Sequence, residues 1–506
     1  MSETPFIAPN RKLKQAYRRK MMIAAQSKLR QKGIDITTGP IFGKVIMFVI
    51  PLMLSNLLQV FYNAADMMIV SLSSESNAVG AIGMTGSFTG LIVNMFMGFS
   101  AGSNVIVARF IGAKDKDNVS KTVHTAIIMS LMVGVLGLIL GVAVSRPILS
   151  WMGAQGKLLD LAVKYTTIYF LGVPFISMTN YLSSIFRAKG DTKTPLYVLS
   201  ASGLVNVGLN FFFVLVCDMS VEGVAIATAV ANILSAATLL WILSKDESSC
   251  RFYFSKLRID KRAFFGILRE GLPAGIQSAL FSVSNMIIQS SIIQVNYMLT
   301  PAGSPYDPVV NGNAAAANLE GFIYTAVNSV YHAAITFTSQ NVGATKYKRV
   351  WRVILVCNLF GMSVGLLGTI ILNVFKSNLL ALYGVVDGAV GTLEHIAYTA
   401  ANERIIYVMS LYFIIALLEA NCGILRGLGK STLSTIISLL GACAFRVLWV
   451  EFVFGAFPSL KTVYISYPIS WLLTGGAELL FSIFFLNRLI KKQKAEQEIK
   501  ELCTET

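Results

Sequence analysis

Residues 108–114 read Ala108-Arg109-Phe110-Ile111-Gly112-Ala113-Lys114, and 231 residues after Gly112 the pattern returns as Ser339-Gln340-Asn341-Val342-Gly343-Ala344-Thr345-Lys346. A second pair repeats the arrangement. Phe186-Arg187-Ala188-Lys189-Gly190-Asp191-Thr192-Lys193 is answered, 239 residues after Arg187, by Leu425-Arg426-Gly427-Leu428-Gly429-Lys430-Ser431. Two long offsets of nearly equal size mean that one unit occurs twice in the 506 residues. In a membrane chain such duplication is the usual build of a secondary transporter, with substrate held where the repeats meet.

Composition makes the membrane setting secure. Hydrophobic residues form 55% of the chain and charged residues 13%, against about 25% charged in a soluble domain. Twelve apolar spans are read at 42–70, 78–107, 122–145, 161–185, 195–217, 223–244, 264–296, 313–339, 350–375, 397–424, 432–456 and 463–487. Each is long enough to cross a bilayer core. The fold class expected is therefore an all-α polytopic membrane protein with twelve transmembrane helices.

The formal net charge of +16 does not point to nucleic acid, because lysine and arginine fall mainly in alternate loops. With the N-terminus inside, inner segments hold 34 Lys and Arg and outer segments hold five. That asymmetry places both termini in the cytoplasm. The connector Lys245–Arg269 divides the spans six and six, so the halves share one orientation as parallel repeats. The organisation read is a basic cytoplasmic tail at 1–40, a first lobe at 41–245, a connector at 246–263, a second lobe at 264–488 and a cytoplasmic tail at 489–506. No cleavable signal peptide is read in the polar, basic first 40 residues. Arg11–Lys32 reads either as an interfacial helix on anionic lipid or as an unstructured topology determinant. The turn-rich loop Thr300–Pro308 reads either as an outer lip over the entrance or as a tolerated insertion.

Ionisable residues inside spans cost several kcal/mol unless paired or solvated, and so mark function. Asp66, in Tyr62-Asn63-Ala64-Ala65-Asp66, has no basic residue within one helical turn and is read as deep in its span. It suits a site that takes up and releases a proton. Asn206 and Asn210 stand four apart on one helix face. With Asn180 and Thr228 they could join Asp66 in an oxygen-rich cluster for a proton or a sodium ion. Asp66 is a metal ligand only if the ion is sodium. In the second half Glu419, which matches Asn180 at the 239 offset, is a candidate cavity carboxylate. Arg446 is expected in a structural ion pair with Glu419 or Glu451, His332 and His395 as satisfied polar groups, and Glu403 and Arg404 as solvated near the outer interface. The six cysteines lack metal-ligand spacing. No phosphate-binding loop is present, and no Cys or His/Glu cluster or Ser/His/Asp set can be argued, so neither an enzyme nor an ATP-driven pump is expected.

Pro51 with Tyr62–Asp66, the Ile111–Lys114 loop and Arg187-Ala188-Lys189-Gly190-Asp191-Thr192-Lys193-Thr194-Pro195 resemble the multidrug and toxic compound extrusion (MATE) family over about residues 40–490. The resemblance implies two six-helix lobes in a V, exporting organic cations and amphipathic drugs against proton or sodium entry. It is closest to the prokaryotic DinF-like and related branch, through Asp66, Asn206 and Thr228, but Asn210 stands where that branch carries Asp and Ser183 where it carries Asn. The acid that the NorM-like branch carries near the start of its seventh helix is absent around Phe281. The expected protein is a monomer in the plasma membrane of a prokaryote, with drug-like small molecules and membrane lipid as its partners. No cofactor is expected beyond the coupling ion, H+ or Na+. A flippase of lipid-linked oligosaccharides from the same wider superfamily, and a sensor or scaffold without flux, are the alternatives.

Overall fold

The computed structural model describes residues 33–73, 75, 78–301 and 303–505. The basic segment Arg11–Lys32 lies outside them. Twelve long helices follow one another: α1 (Ile41–Val70), α2 (Ala78–Gly112), α3 (Lys116–Trp151), α4 (Gly156–Ala188), α5 (Lys193–Val216) and α6 (Val221–Ser244) in the first half. The second half supplies α7 (Lys261–Leu299), α8 (Pro308–Gly343), α9 (Tyr347–Ala381), α10 (Leu393–Gly427), α11 (Ser431–Phe454) and α12 (Leu460–Glu505). The described residues contain no strand. Even the shortest helices, of 24 residues, rise about 36 Å, more than the roughly 30 Å of hydrocarbon they must cross.

Eleven of the twelve are both long and apolar enough to span a bilayer; α8 is the exception by composition. Its polar residues Asn313, Ser329, Thr336, Gln340 and Asn341 are buried against protein. A helix walled in by α1, α2, α9 and α10 can carry such groups, because its neighbours supply the partners that lipid cannot. Prolines stand inside α1, α3, α4, α7 and α12, at Pro51, Pro147, Pro174, Pro273 and Pro468. The related helices α5 and α11 both contain π-helical turns, at Phe212–Val216 and at Leu439–Ala444 and Trp449–Phe454.

The helices form two lobes that are separate at one end and joined at the other. Away from the basic loops the cores are independent: Ile69, Ala78, Leu149, Val214 and Val224 make one, and Ile292, Val309, Ala400, Tyr412 and Trp471 make another. Toward the basic loops the halves mix. Phe48 and Leu52 of α1 pack with Val330, Phe337 and Ile424 of the second half, and Ile267 of α7 packs with Val123 and Phe186 of the first. Each half thus lends the start of its first helix to the other lobe. Backbones also approach closely where α2 crosses α7: a Cβ on Gly98 would meet the Gly275 nitrogen at 2.5 Å, and one on Gly102 the Ile267 carbonyl at 2.3 Å. Any larger side chain there would push the lobes apart. The result is a V closed at its basic end and open at the other.

Residues 33–40 lie across the closed end. The Ile34 amide donates to the Gly190 carbonyl at 3.1 Å, while Lys346 and Arg349 donate to the carbonyls of Thr37 (2.9 Å) and Thr38 (2.7 Å). At the open end the loop after α7 folds back on its own lobe: Asn296 donates to Asp307 at 2.7 Å and accepts from the Val309 amide at 3.0 Å. Residues 489–505, set apart in the sequence as a tail, continue α12 as helix.

Candidate functional site

Asp66 is half-buried in the last turns of α1, toward the open end of the V rather than deep in the span. Asn206 and Asn210 project from one face of α5, and the side chain of Asn210 is fully buried. The Asn210 amide donates to Asp66 Oδ1 at 2.5 Å. Asn206, with its amide turned to suit its neighbours, donates to the same oxygen at 2.9 Å. Thr228 of α6 completes the set: its hydroxyl lies 3.4 Å from the Asn206 amide nitrogen, or its backbone N–H donates at 3.3 Å to the turned amide. The four residues from α1, α5 and α6 therefore come together, as their types and spacing suggest. Asn210 Oδ1 is buried without a donor. The cluster offers a carboxylate, amide oxygens and a hydroxyl, a donor set suited to a proton or a small hard cation.

Asn180 does not join them. It is half-buried on α4 and forms none of the bonds of the cluster. Its own helix explains why. Tyr165 and Tyr169 of α4 are the residues within electrostatic reach of Asp66, and Asn180 lies eleven residues beyond Tyr169, about 16 Å along the axis. The two tyrosines, stacked 6.0 Å apart, were not singled out in the sequence. Their i, i+4 spacing in a membrane helix was the available signal.

The second lobe corrects two expectations. Glu419 is buried on α10, but its partners are the Tyr324 hydroxyl (3.3 Å) and the Asn328 amide (3.0 Å) of α8. Arg446 pairs with neither Glu419 nor Glu451: it donates to the Ser470 hydroxyl at 3.0 Å and lies 4.3 Å from the centre of the Tyr467 ring. An aromatic face and a hydroxyl thus take the place of the expected carboxylate. Arg404 is not solvated but 6% exposed. It holds Glu320 Oε2 through Nε (3.0 Å) and Nη2 (2.6 Å), and Asn313 through Nη1 (2.7 Å). Helical position, unlike sequence spacing, puts Glu320 of α8 on the face that α10 covers. His395 meets Asp387 at 3.0 Å, while His332 is buried against the Tyr331 ring. Two further acids were passed over or left unassigned. Glu270 of α7 accepts from the Ser431 hydroxyl at 2.5 Å, and Glu478 of α12, fully buried, accepts from Ser434 and Ser438 at 3.0 and 2.9 Å.

Between the lobes the walls are mixed aromatic and polar. Phe61 of α1 faces Phe322 of α8 with ring centres 5.7 Å apart, and Asn318 and Tyr324 are exposed on α8. No group of three or more His, Cys, Asp or Glu able to hold a metal occurs among the described residues.

The family model MatE matches residues 51–212 and 273–450. "Probable multidrug resistance protein YoeA" of Bacillus subtilis (strain 168) is 25% identical over 440 residues, 85% of this chain and 91% of that protein. "Multidrug export protein MepA" of Staphylococcus aureus (strain bovine RF122 / ET3-1) is 23% identical over 250 residues, 49% of this chain and 55% of its own length. Among solved structures, an outward-facing multidrug resistance MATE family transporter of the MOP superfamily superposes with a TM-score of 0.80 at 19% identity, over 91% of this chain and 99% of the other. A MOP superfamily transporter from Pyrococcus furiosus Vc1 gives 0.81 at 19% identity, over 90% and 98%. These structures share the two-lobe fold.

Proposed function

Because this chain belongs to the MatE family, we propose that it is a secondary antiporter that exports organic cations and amphipathic drugs in exchange for protons or sodium ions. One observation carries this reading: the carboxylate of Asp66, bonded to Asn210 and Asn206, stands toward the open end of a cleft whose other end is closed. The basic, closed end is the cytoplasmic one, so the conformation faces outward. The relatives in Bacillus and Staphylococcus, a probable multidrug resistance protein and a multidrug export protein, support the substrate class.

The cycle follows from linkage. A cation bound at Asp66 neutralises a partly buried carboxylate and stabilises whichever lobe arrangement shields it. Substrate in the cleft favours the arrangement that exposes it. Antiport needs the two ligands to prefer different states, each by a differential affinity of about 1–3 kcal/mol or more. Asp66 exchanges the ion, Asn210 and Asn206 orient its carboxylate, and Thr228 orients Asn206.

Proteoliposomes loaded with a cationic dye, under a pH gradient or a sodium gradient imposed separately, provide the test. Efflux driven by one gradient, lost in Asp66→Asn with an unchanged unfolding temperature, is the expected result. Wild-type efflux from Asp66→Asn removes Asp66 from the mechanism, and movement of a lipid-linked oligosaccharide without dye transport replaces the antiporter with a flippase.

A further inference from the structure

At the closed end the two lobes meet through parts that are copies of each other. The last turns of α2 and α8 touch backbone to backbone. A Cβ on Gly112 would lie 2.0 Å from the Gln340 carbonyl oxygen, and one on Gly343 would lie 1.9 Å from the Arg109 carbonyl oxygen. The offset of 231 that relates the two halves converts one contact into the other. Side chains obey the same relation. Arg109 Nη2 donates to the Gly427 carbonyl at 3.3 Å, and Gln340 Nε2 donates to the Ala188 carbonyl at 2.6 Å. The donors are related by the offset of 231 and the acceptors by that of 239.

The local backbone is repeated as well. Lys114 and Thr345, which follow the two seam glycines, are both left-handed, with φ of 58° and 54°. Gly190 and Gly429 close α4 and α10 with φ of 85° and 80°. Each closure is a two-bond cap, for example Lys114 to Ile111 and Asp115 to Phe110, both at 3.0 Å, matched by Thr345 to Val342 at 3.0 Å and Lys346 to Asn341 at 2.8 Å. Non-glycine residues held left-handed cost about 1–2 kcal/mol each, so these caps are specified rather than incidental. Ala188 and Gly427 are the last residues of their helices, where carbonyls lack intrahelical partners and carry the negative end of the helix dipole. A guanidinium and a carboxamide are fitting donors for them.

We propose that Arg109 and Gln340 form the inner gate of the transporter, a pseudo-two-fold clasp in which each lobe holds the last carbonyl of the other. The proposal rests on the alternating-access reading above and adds the residues that keep the cytoplasmic side shut. Opening inward breaks both bonds and separates Gly112 from Gln340 and Gly343 from Arg109. Neither residue touches substrate or ion; both are positioning residues that set the balance between the outward and inward states.

A native cysteine gives a direct readout. Cys422 is buried between the lobes beside Ala101, Val105, Tyr331 and Ile335. In a chain whose other five cysteines are replaced by serine, a membrane-impermeant maleimide is applied to the cytoplasmic face. Losing both bonds in Arg109→Ala/Gln340→Ala should speed labelling of Cys422 about tenfold, and Gln340→Ala alone about threefold. A second chain, carrying Asn318→Cys on the exposed outer half of α8 as its single cysteine, is labelled from the other face and should not speed up in either variant. Unchanged labelling of Cys422 overturns the proposal, as does a parallel rise at both positions, which reports loosened packing rather than a gate. The single variant carries the test if the double variant does not fold. Labelling needs no ion gradient and no transported dye, so this result is independent of whether the antiport assay succeeds.

Discussion

Replacing Glu320 by alanine should destabilise the second lobe by leaving the buried Arg404 guanidinium without its carboxylate. The replacement removes the acceptor of two Arg404 donors, at 3.0 and 2.6 Å. Asn313, at 2.7 Å from Nη1, and the faces of Tyr464 and Tyr467, at 5.7 and 5.5 Å, remain. Breaking a buried pair by removing one partner costs about 3–5 kcal/mol, because a charge is left uncompensated. The Glu320 side chain keeps 13% exposure, which lets water reach the vacated space, so the lower figure of about 3 kcal/mol applies. For a cooperative unit of roughly the size of one lobe that is a fall in Tm of about 6–12 °C. Trp471, 3% exposed and 5.2 Å from the Tyr412 ring, reports unfolding of this lobe by fluorescence in detergent. Removing both charges with Glu320→Leu/Arg404→Met should recover most of the loss, since apolar replacement of a buried pair is often close to neutral. A single variant within 2 °C of wild type, roughly below what the loss of one ordinary hydrogen bond would cause, refutes the reasoning. So does a double variant as unstable as the single one, because then packing rather than an unpaired charge sets the cost.

Asn210→Ala removes the 2.5 Å donor to Asp66 and should lower ion-driven dye efflux about tenfold, with a fall in unfolding temperature of only about 2–4 °C, the effect of losing one hydrogen bond. Efflux equal to wild type in the same proteoliposomes would show that Asn206 alone orients the carboxylate. Outside the membrane, burial pushes the Asp246 carboxyl up, but the Lys189 ammonium bonded to it at 2.6 Å and the Ser248 hydroxyl outweigh this and hold it below its ordinary value. A group lowered on folding contributes fully above its unfolded value of about 4 and loses that contribution as pH falls through the folded value. Asp246→Asn should therefore reduce stability at pH 7 and flatten its decline below about pH 4, as followed by thermal unfolding across pH; parallel curves for the two proteins would count against the pairing.

Much of the fold was legible because lipid imposes simple rules. Apolar length and the placement of lysine and arginine located all twelve helices, including α8, whose polar residues are accommodated only because protein surrounds it. The cluster of Asp66, Asn206, Asn210 and Thr228 was legible for a related reason: polar residues in such helices are few, and those on one face of α5 had few directions in which to find partners. Pairings between distant helices were not. Arg446 carries no mark in its neighbours that it meets Ser470 and Tyr467. Arg404 was misplaced because its nearness to a helix end resembled exposure, whereas α8 and α12 bury it. Asn180 shows the opposite error, in which an amide in another span of the same lobe was taken to lie near Asp66, although it stands about 16 Å along α4 from Tyr169, which faces that carboxylate.

The two kinds of symmetry in this molecule differ, and the difference bears on how coupling would run. The clasp at the closed end is shared equally between the repeats, so it favours neither lobe. Asp66 has no such counterpart. Aligning the prolines of α1 and α7, Pro51 and Pro273, sets Asp66 against Ile288, which is buried in the apolar core of the second lobe. An ion bound at Asp66, as proposed, would act on one lobe alone and would reach the seam through an element that belongs to both. The helix α1 meets that requirement. Its outer end bears Asp66 beside α5, while its inner end packs Phe48 against Phe337 of α8, ring centres 5.5 Å apart, three residues before Gln340. In the proposed cycle, neutralising Asp66 changes how the outer end of α1 sits on α5 and α6, and the inner end passes that change to the helix that carries half of the clasp. A symmetric gate worked from one side by an asymmetric site gives the proposed coupling a single route: the ion biases the clasp through α1, and the differential affinity that linkage demands is set at Asp66.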